Sequence, residues 1–132
     1  MRRLVPTANA WGDIVGYSRA VRAGNLICVA GTTASGPDGK ALHPGEPGPQ
    51  TRVILDRIEA ALTKLGGSLD QVVETRIYLC DIGQWEAVGR VHGEIFGAIR
   101  PVTTMVEVSR LISSDLVVEI SATAVLDPDT AS

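Results

Sequence analysis

Two short runs hold the residues of this chain best suited to chemistry. One is Val118-Glu119-Ile120, a carboxylate between branched apolar residues; the other is Arg100-Pro101-Val102-Thr103-Thr104-Met105-Val106-Glu107-Val108. Successive side chains of a strand point to opposite faces, so residues two apart share a surface. Read as strands, the first run presents Glu119 and Ser121 together, and the second presents Thr103, Met105 and Glu107 together. The two strands are expected to pair with one another and to line one sheet face. Carboxylates and hydroxyls gather on such a face where it meets solvent, a ligand or another subunit. A carboxylate there can position or activate water, and the hydroxyls can hold a small polar molecule.

Other candidates are fewer. Arg19 shares a strand face with Tyr17 and could supply a guanidinium to a ligand or take part in an ion pair. His92 falls on the apolar stripe of a helix, a setting for a hydrogen-bonded half-buried ring or for an acid–base group lining a cleft. With His43 the only other histidine, and no paired cysteines, His and Cys cannot assemble a metal site. No glycine-framed elbow or paired base accompanies a serine or threonine, so no nucleophilic triad is present. Gly36-Pro37-Asp38-Gly39 reads as a hairpin turn and not a phosphate loop, since no Lys-Ser/Thr or helix start follows it.

The elements that must carry these residues follow from periodicity. Tyr17–Arg22 and Asn25–Gly31 read as strands joined by a tight turn at Ala23-Gly24, with an additional strand possible near Leu4. Leu42–Pro49, rich in proline and glycine, reads as a loop. From Gln50, Ile54, Ile58, Ala61, Leu62 and Leu65 recur at helical spacing, and Gly66-Gly67 stops the helix. Val73, Thr75, Ile77 and Leu79 alternate with Glu74, Arg76 and Tyr78, as in a strand. Gln84–Phe96 forms a second helix with Trp85, Val88, His92 and Ile95 on its apolar side, Trp85 being assigned to the core. Thr103–Leu111 and Leu116–Leu126 close the chain as a strand pair.

The fold class is therefore α+β, ββ-α-β-α-ββ, as a single domain over residues 1–132. Each helix has one apolar stripe, so both cover the same sheet face. The other face carries Val21, Thr103, Met105 and Ser121 among a few charges, too apolar to stay wet and too polar for an ordinary core. Burial against copies of the same chain, with a ligand site at the boundary, resolves that mixture.

Composition narrows the function classes. The 132 residues are 45% hydrophobic with a net charge of −3, and the basic residues are scattered, so no nucleic-acid groove is expected. No run reaches the length of a membrane span, and Leu4–Ala10 lacks the apolar core of a signal peptide. Cys28 and Cys80 lie in apolar runs and read as buried free thiols of a cytoplasmic protein.

Several short pieces, weak one by one, occur in a specific order. They are Gly16-Tyr17, Gly24-Asn25, Val29-Ala30-Gly31, Gln50, Tyr78-Leu79-Cys80-Asp81, Arg100-Pro101, Val106-Glu107-Val108 with Arg110-Leu111, and Glu119-Ile120. Over about Tyr17 to Val125 the chain resembles the Rid family, the reactive intermediate deaminases also called YjgF-like.

That resemblance implies a chorismate-mutase-like fold: a homotrimer with the three sheets forming a central barrel, helices outside and clefts between subunits. It implies hydrolysis of reactive enamines and imines, such as 2-aminoacrylate, to a 2-keto acid and ammonia, with no cofactor and no metal. Carried over by position, the water-handling carboxylate falls on Glu119. The cleft-lining positions fall on Tyr17 and on Gly31 with Thr32 beside it. Met105, His92 and Arg19 are further substrate-binding candidates.

The arginine that clamps the substrate carboxylate in the family falls on Thr103. One neutral hydroxyl in place of a bidentate guanidinium weakens carboxylate binding by about 2–4 kcal/mol. Either the substrate lacks that carboxylate, another cation holds it, or the activity has changed. The expected function is imine or enamine deamination; the alternative is a trimer that binds a small metabolite without turning it over.

Overall fold

A computed structural model describes residues 2–127. The domain span expected for residues 1–132 therefore runs past the described residues at both ends. The chain forms β1 (Arg2–Val5), α1 (Trp11–Val15), β2 (Ala20–Ala23), β3 (Leu26–Thr32), α2 (Pro47–Lys64), β4 (Val72–Leu79), α3 (Trp85–Phe96), β5 (Val102–Glu107) and β6 (Val118–Val125). The six strands make one sheet in the order β1-β2-β3-β6-β4-β5. All neighbours are antiparallel except β4 and β5, which are parallel. The strand near Leu4 is real; the one-turn helix α1 has no periodic signal in the sequence.

The long helix forms for local reasons. Pro47 stands at its start, where a missing N–H costs nothing, so α2 begins before Gln50 and takes up the end of the expected loop. It ends where Gly66 turns to φ +83° and the Gly67 N–H reaches back to the Leu62 carbonyl. Ile54, Leu55, Ile58, Ala61 and Leu62 form its buried stripe. Together with Ile27, Val29, Ile77, Leu79, Val118, Ile120, Ala122 and Ala124 from the sheet, and Val88 and Phe96 from α3, they make one aliphatic core. Helices α2 and α3 thus share one sheet face, as the stripes require.

Gln50 is the one amide sealed into this core. Its side chain donates to the carbonyls of Leu42, His43 and Asp115 and accepts the Val117 N–H, so the loop before α2 and the loop before β6 are tied to one point.

Four expectations are corrected. First, β5 and β6 do not pair: β4 lies between them. The chain crosses from β4 through α3 to a parallel β5, and only then returns to insert β6 between β3 and β4. Second, Val73 is 47% exposed, because an irregularity between β4 and β6 at Val72/Glu74 breaks the alternation there. Third, Trp85 is 57% exposed. Its ring lies along its own helix over Gly89, where a Cβ would sit 3.8 Å from Trp85 Cε3. Cys28 is also exposed, since its register with Thr123 and Val21 puts it on the face without helices.

That open face is apolar over much of its area. Leu4, Leu26, Val102, Val106 and Val125 all project from it and are exposed in the single chain. Among the described residues no helix is long and apolar enough to cross a membrane.

Candidate functional site

Glu119 projects from β6 onto the open face, because its neighbours Val118 and Ile120 are fully buried beneath the helices. In register beside it on β4 stands Tyr78. On the other side, β3 carries a bulge: Val29 pairs with Ala122 and Thr32 with Ile120, so Ala30 and Gly31 together oppose Ser121. The bulge brings Gly31 against the Glu119 carboxylate, and a Cβ at Gly31 would collide with Oε2. Glycine is needed here for close approach rather than for an unusual backbone angle.

Arg19 secures the bulge. Its Nη2 donates to the Gly31 carbonyl at 2.8 Å, its guanidinium lies 5.5 Å from the Tyr17 ring centre, and its Nε is buried without a partner. From α2, Arg57 Nη1 donates to the Thr33 carbonyl at 2.8 Å, so two guanidinium groups hold the main chain around Thr32. Burial pushes the Glu119 carboxyl above its ordinary range, and the nearby Arg19 charge opposes that shift only in part. A half-buried carboxylate of raised basicity, next to a fixed cation, is suited to exchange a proton with water.

The recess in front of Glu119 has a volume of about 290 Å³ and is lined by Gly31, Tyr78, Val108, Arg110, Leu111 and Ser121. A second recess on the same face, about 370 Å³, contains Tyr17, Ser18 and Cys28 and reaches Ala30. Arg19 and Gly31 therefore stand between the Tyr17 recess and the Glu119 recess.

The expected site residues divide into two groups. Glu119 and Gly31 line one recess of the open face, Arg19 bonds to the Gly31 carbonyl, and Tyr17 lines the neighbouring recess. Thr32 is adjacent in sequence, but its side chain is buried and its hydroxyl donates to the Ala30 carbonyl, so only main chain is offered there. Thr103, Met105 and His92 lie on the opposite side of the sheet. Thr103 is in register with Thr75, and Met105 with Ile77, both buried beneath the helices. Within one chain Thr103 and Glu119 do not meet. The pairing of β5 with β4 decides this, since it fixes which way the β5 alternation faces. Glu107, on the same side as Thr103, accepts the Ile82 N–H at 3.0 Å and caps the turn before α3.

Tyr78, Arg110 and Val108 are site-lining residues that the spacing argument did not single out. Tyr78 was visible as the polar phase of β4. Arg110 and Val108 follow the end of β5, and only the loop returning to β6 carries them to the recess.

A family model described as Endoribonuclease L-PSP matches residues 7–126 of the chain. The chain belongs to this family. Among curated relatives, a RutC family protein of Pyrococcus horikoshii is 36% identical over 94% of this chain and 98% of its own length. A 3-aminoacrylate deaminase, RutC of Acinetobacter baylyi, is 32% identical over 82% of this chain and 85% of its own. Among solved structures, a YjgF/YER057c/UK114 family member from Mycobacterium tuberculosis is 49% identical with a TM-score of 0.86, covering 96% of this chain and 100% of that one. A Rid family protein from Yersinia pestis is 30% identical with a TM-score of 0.82, covering 96% and 100%. The Rid resemblance of the sequence and its mixed α+β fold are thus both established. In this L-PSP/YjgF protein the Gly31 bulge, Arg19 and Glu119 form the polar centre of the open face.

Proposed function

We propose that the chain hydrolyses reactive imines and enamines to carbonyl compounds and ammonia, with Glu119 as the catalytic carboxylate. The observation that carries this reading is the Glu119 carboxylate itself: half-buried, raised in basicity, seated on Gly31 and facing a recess of small-molecule size. Kinship with a 3-aminoacrylate deaminase supports the same reaction class.

The chemistry needs few parts. An enamine first takes a proton on carbon and gives one up from nitrogen, which converts it to the imine. Ionised Glu119 then accepts a proton from water as the oxygen attacks the imine carbon, and the nitrogen receives a proton. Collapse of the carbinolamine forms the carbonyl and expels ammonia, the hydroxyl proton passing through Glu119 or solvent to the departing nitrogen. Net, the C=N bond and one water become C=O and NH3. Tyr17, Arg19 and the Gly31 main chain hold the substrate beside this carboxylate, and the scheme requires neither cofactor nor metal.

The reading includes a homotrimer acting in the cytoplasm as a single-domain protein. Its sheets bury Leu4, Leu26, Val102, Val106 and Val125 against neighbouring copies. Such packing would let the β5 edge of one subunit, with Thr103 and Met105, approach Glu119 of the next. The partner is a small molecule; the acidic balance supports this over RNA, despite the family's endoribonuclease label.

A second reading, binding of a small metabolite without turnover, draws support from Thr103 standing where a charged clamp would be. The test is to supply imines from an amino-acid oxidase or a threonine dehydratase and follow keto-acid release. Acceleration lost in Glu119→Gln supports the deaminase. Thermal stabilisation by keto acids with no acceleration for any imine supports the binding protein.

A further inference from the structure

On the helix side of the sheet, three polar side chains form a continuous hydrogen-bonded chain that the Glu119 chemistry does not use. His92 Nε2 and Thr75 Oγ1 share a hydrogen bond of 2.9 Å, and Thr75 Oγ1 and Thr103 Oγ1 share one of 2.8 Å. Thr75 is completely buried, whereas Thr103 is exposed on the edge strand β5. His92 is half-buried, its ring 4.6 Å from that of Phe96.

A threonine hydroxyl has a single proton. Its oxygen can accept two bonds, but Thr75 is fully buried, so its own proton stays paired only if it donates to one of these two neighbours and accepts from the other; the state of His92 decides which. If Nε2 is bare, Thr75 donates to it and accepts from Thr103; the Thr103 proton is then turned inward and only lone pairs face out. If Nε2 carries the proton, every bond reverses and Thr103 is free to donate outward. Burial alone depresses the basicity of His92, which keeps the ring neutral and leaves both tautomers available. The nearby charges of α3 are committed elsewhere: Glu86 pairs with Arg90, and Glu94 with Arg52 of α2.

We propose that His92 and Thr75 are positioning residues that set the hydrogen-bonding polarity of Thr103, making Thr103 a specificity-determining contact for a neutral polar group. A carbonyl oxygen meeting Thr103 selects the Nε2–H tautomer, and an amine or amide N–H selects the other. Each reversal exchanges one ring proton with water, with no net gain. A carboxylate gains only one uncharged donor and is the poorer match. The substrate class that follows is imines of neutral carbonyl compounds, such as ketones or keto amides, rather than of keto acids. This inference rests on the reading that Thr103 borders the substrate cleft.

The test uses the full-length protein with 15N-labelled histidine and two probes of the same shape, pyruvamide and pyruvate. Saturating pyruvamide is expected to move the His92 ring nitrogens toward the Nε2–H tautomer, and pyruvate to move them less. The response should vanish in Thr75→Val and return in Thr75→Ser. Thr103→Val should weaken pyruvamide about 3- to 10-fold, the value of one neutral hydrogen bond, with little effect on pyruvate. Unmoved His92 nitrogens, an unchanged response in Thr75→Val, absent pyruvamide binding, or pyruvate binding more tightly would each overturn the proposal. Thr103→Val tests it independently should Thr75→Val not fold. Glu119→Gln separates the two claims: it should lower turnover by about 100- to 10,000-fold and leave the His92 response intact.

Discussion

Gly31 and Glu119 face each other across the β3–β6 pair so closely that a side chain at position 31 would displace the carboxylate. A main-chain bulge, a glycine and a carboxylate are thereby made one unit, with Arg19 bonded to the Gly31 carbonyl as its brace. Replacing Gly31 by alanine forces the carboxylate aside while leaving the buried residues of β3 and β6 in place. Displacement of a reacting group by about 1 Å costs on the order of 100-fold in rate. Gly31→Ala should therefore lower kcat/KM for imine hydrolysis by about that factor, measured as keto-acid release, with a cooperative unfolding transition retained.

The raised basicity of Glu119 has a stability consequence of definite sign. Its folded value lies above the ordinary 4.5, so the folded state binds the proton more tightly than the unfolded state. The stability this contributes is fully present below about pH 4.5 and is lost as pH rises through the folded value. Glu119→Gln stays neutral and escapes that loss. The variant should match the parent in unfolding midpoint at about pH 4 and exceed it modestly at pH 8. Its turnover should fall by about 100- to 10,000-fold, the usual contribution of an acid–base group. A variant less stable than the parent at pH 8 would mean that attraction to Arg19 outweighs burial.

His92 has the opposite sign. Burial lowers its folded value below the ordinary 6.5, so the unfolded chain takes up the proton first. Its contribution is present above about pH 6.5 and is lost as pH falls through the lowered folded value. His92→Gln, which cannot titrate, should flatten that part of the stability profile. Urea unfolding between about pH 4 and 8 will show a smaller fall for the variant than for the parent.

Gln50 is predicted to be the most sensitive polar position outside the site. Its amide feeds three carbonyls and its oxygen takes the Val117 N–H. Gln50→Glu keeps the shape but removes every donor and sets a carboxylate against those carbonyls. Buried groups left unsatisfied cost about 1–3 kcal/mol each, so a loss of at least about 3 kcal/mol is expected by denaturant titration. Gln50→Leu should cost less than Gln50→Glu, since it buries no charge.

Much of the fold was legible in the residues. The α2 stripe from Ile54 to Leu65, its stop at Gly66-Gly67, the turn before Leu26 and a helix-free sheet face follow from local spacing. Glu119 was legible too, as a carboxylate between two apolar strand residues that the family resemblance set apart from the similar Val106-Glu107-Val108. Trp85 was misjudged because a stripe reports a direction from the helix axis and not whether sheet lies beneath it.

The sequence by itself determined which residues of each strand share a side, and it determined that two helices leave one sheet face uncovered. The tertiary structure alone decided which side each strand presents and which strand lies beside it. Alternation has a period of two and carries no sign, so Thr103 and Glu119 could equally have shared a face. The α3 crossover settled the matter by setting β5 parallel to β4, which turned Thr103 toward Thr75 and His92. The β3 bulge did the same for Gly31, because only pairing against β6 reveals that one residue is extra.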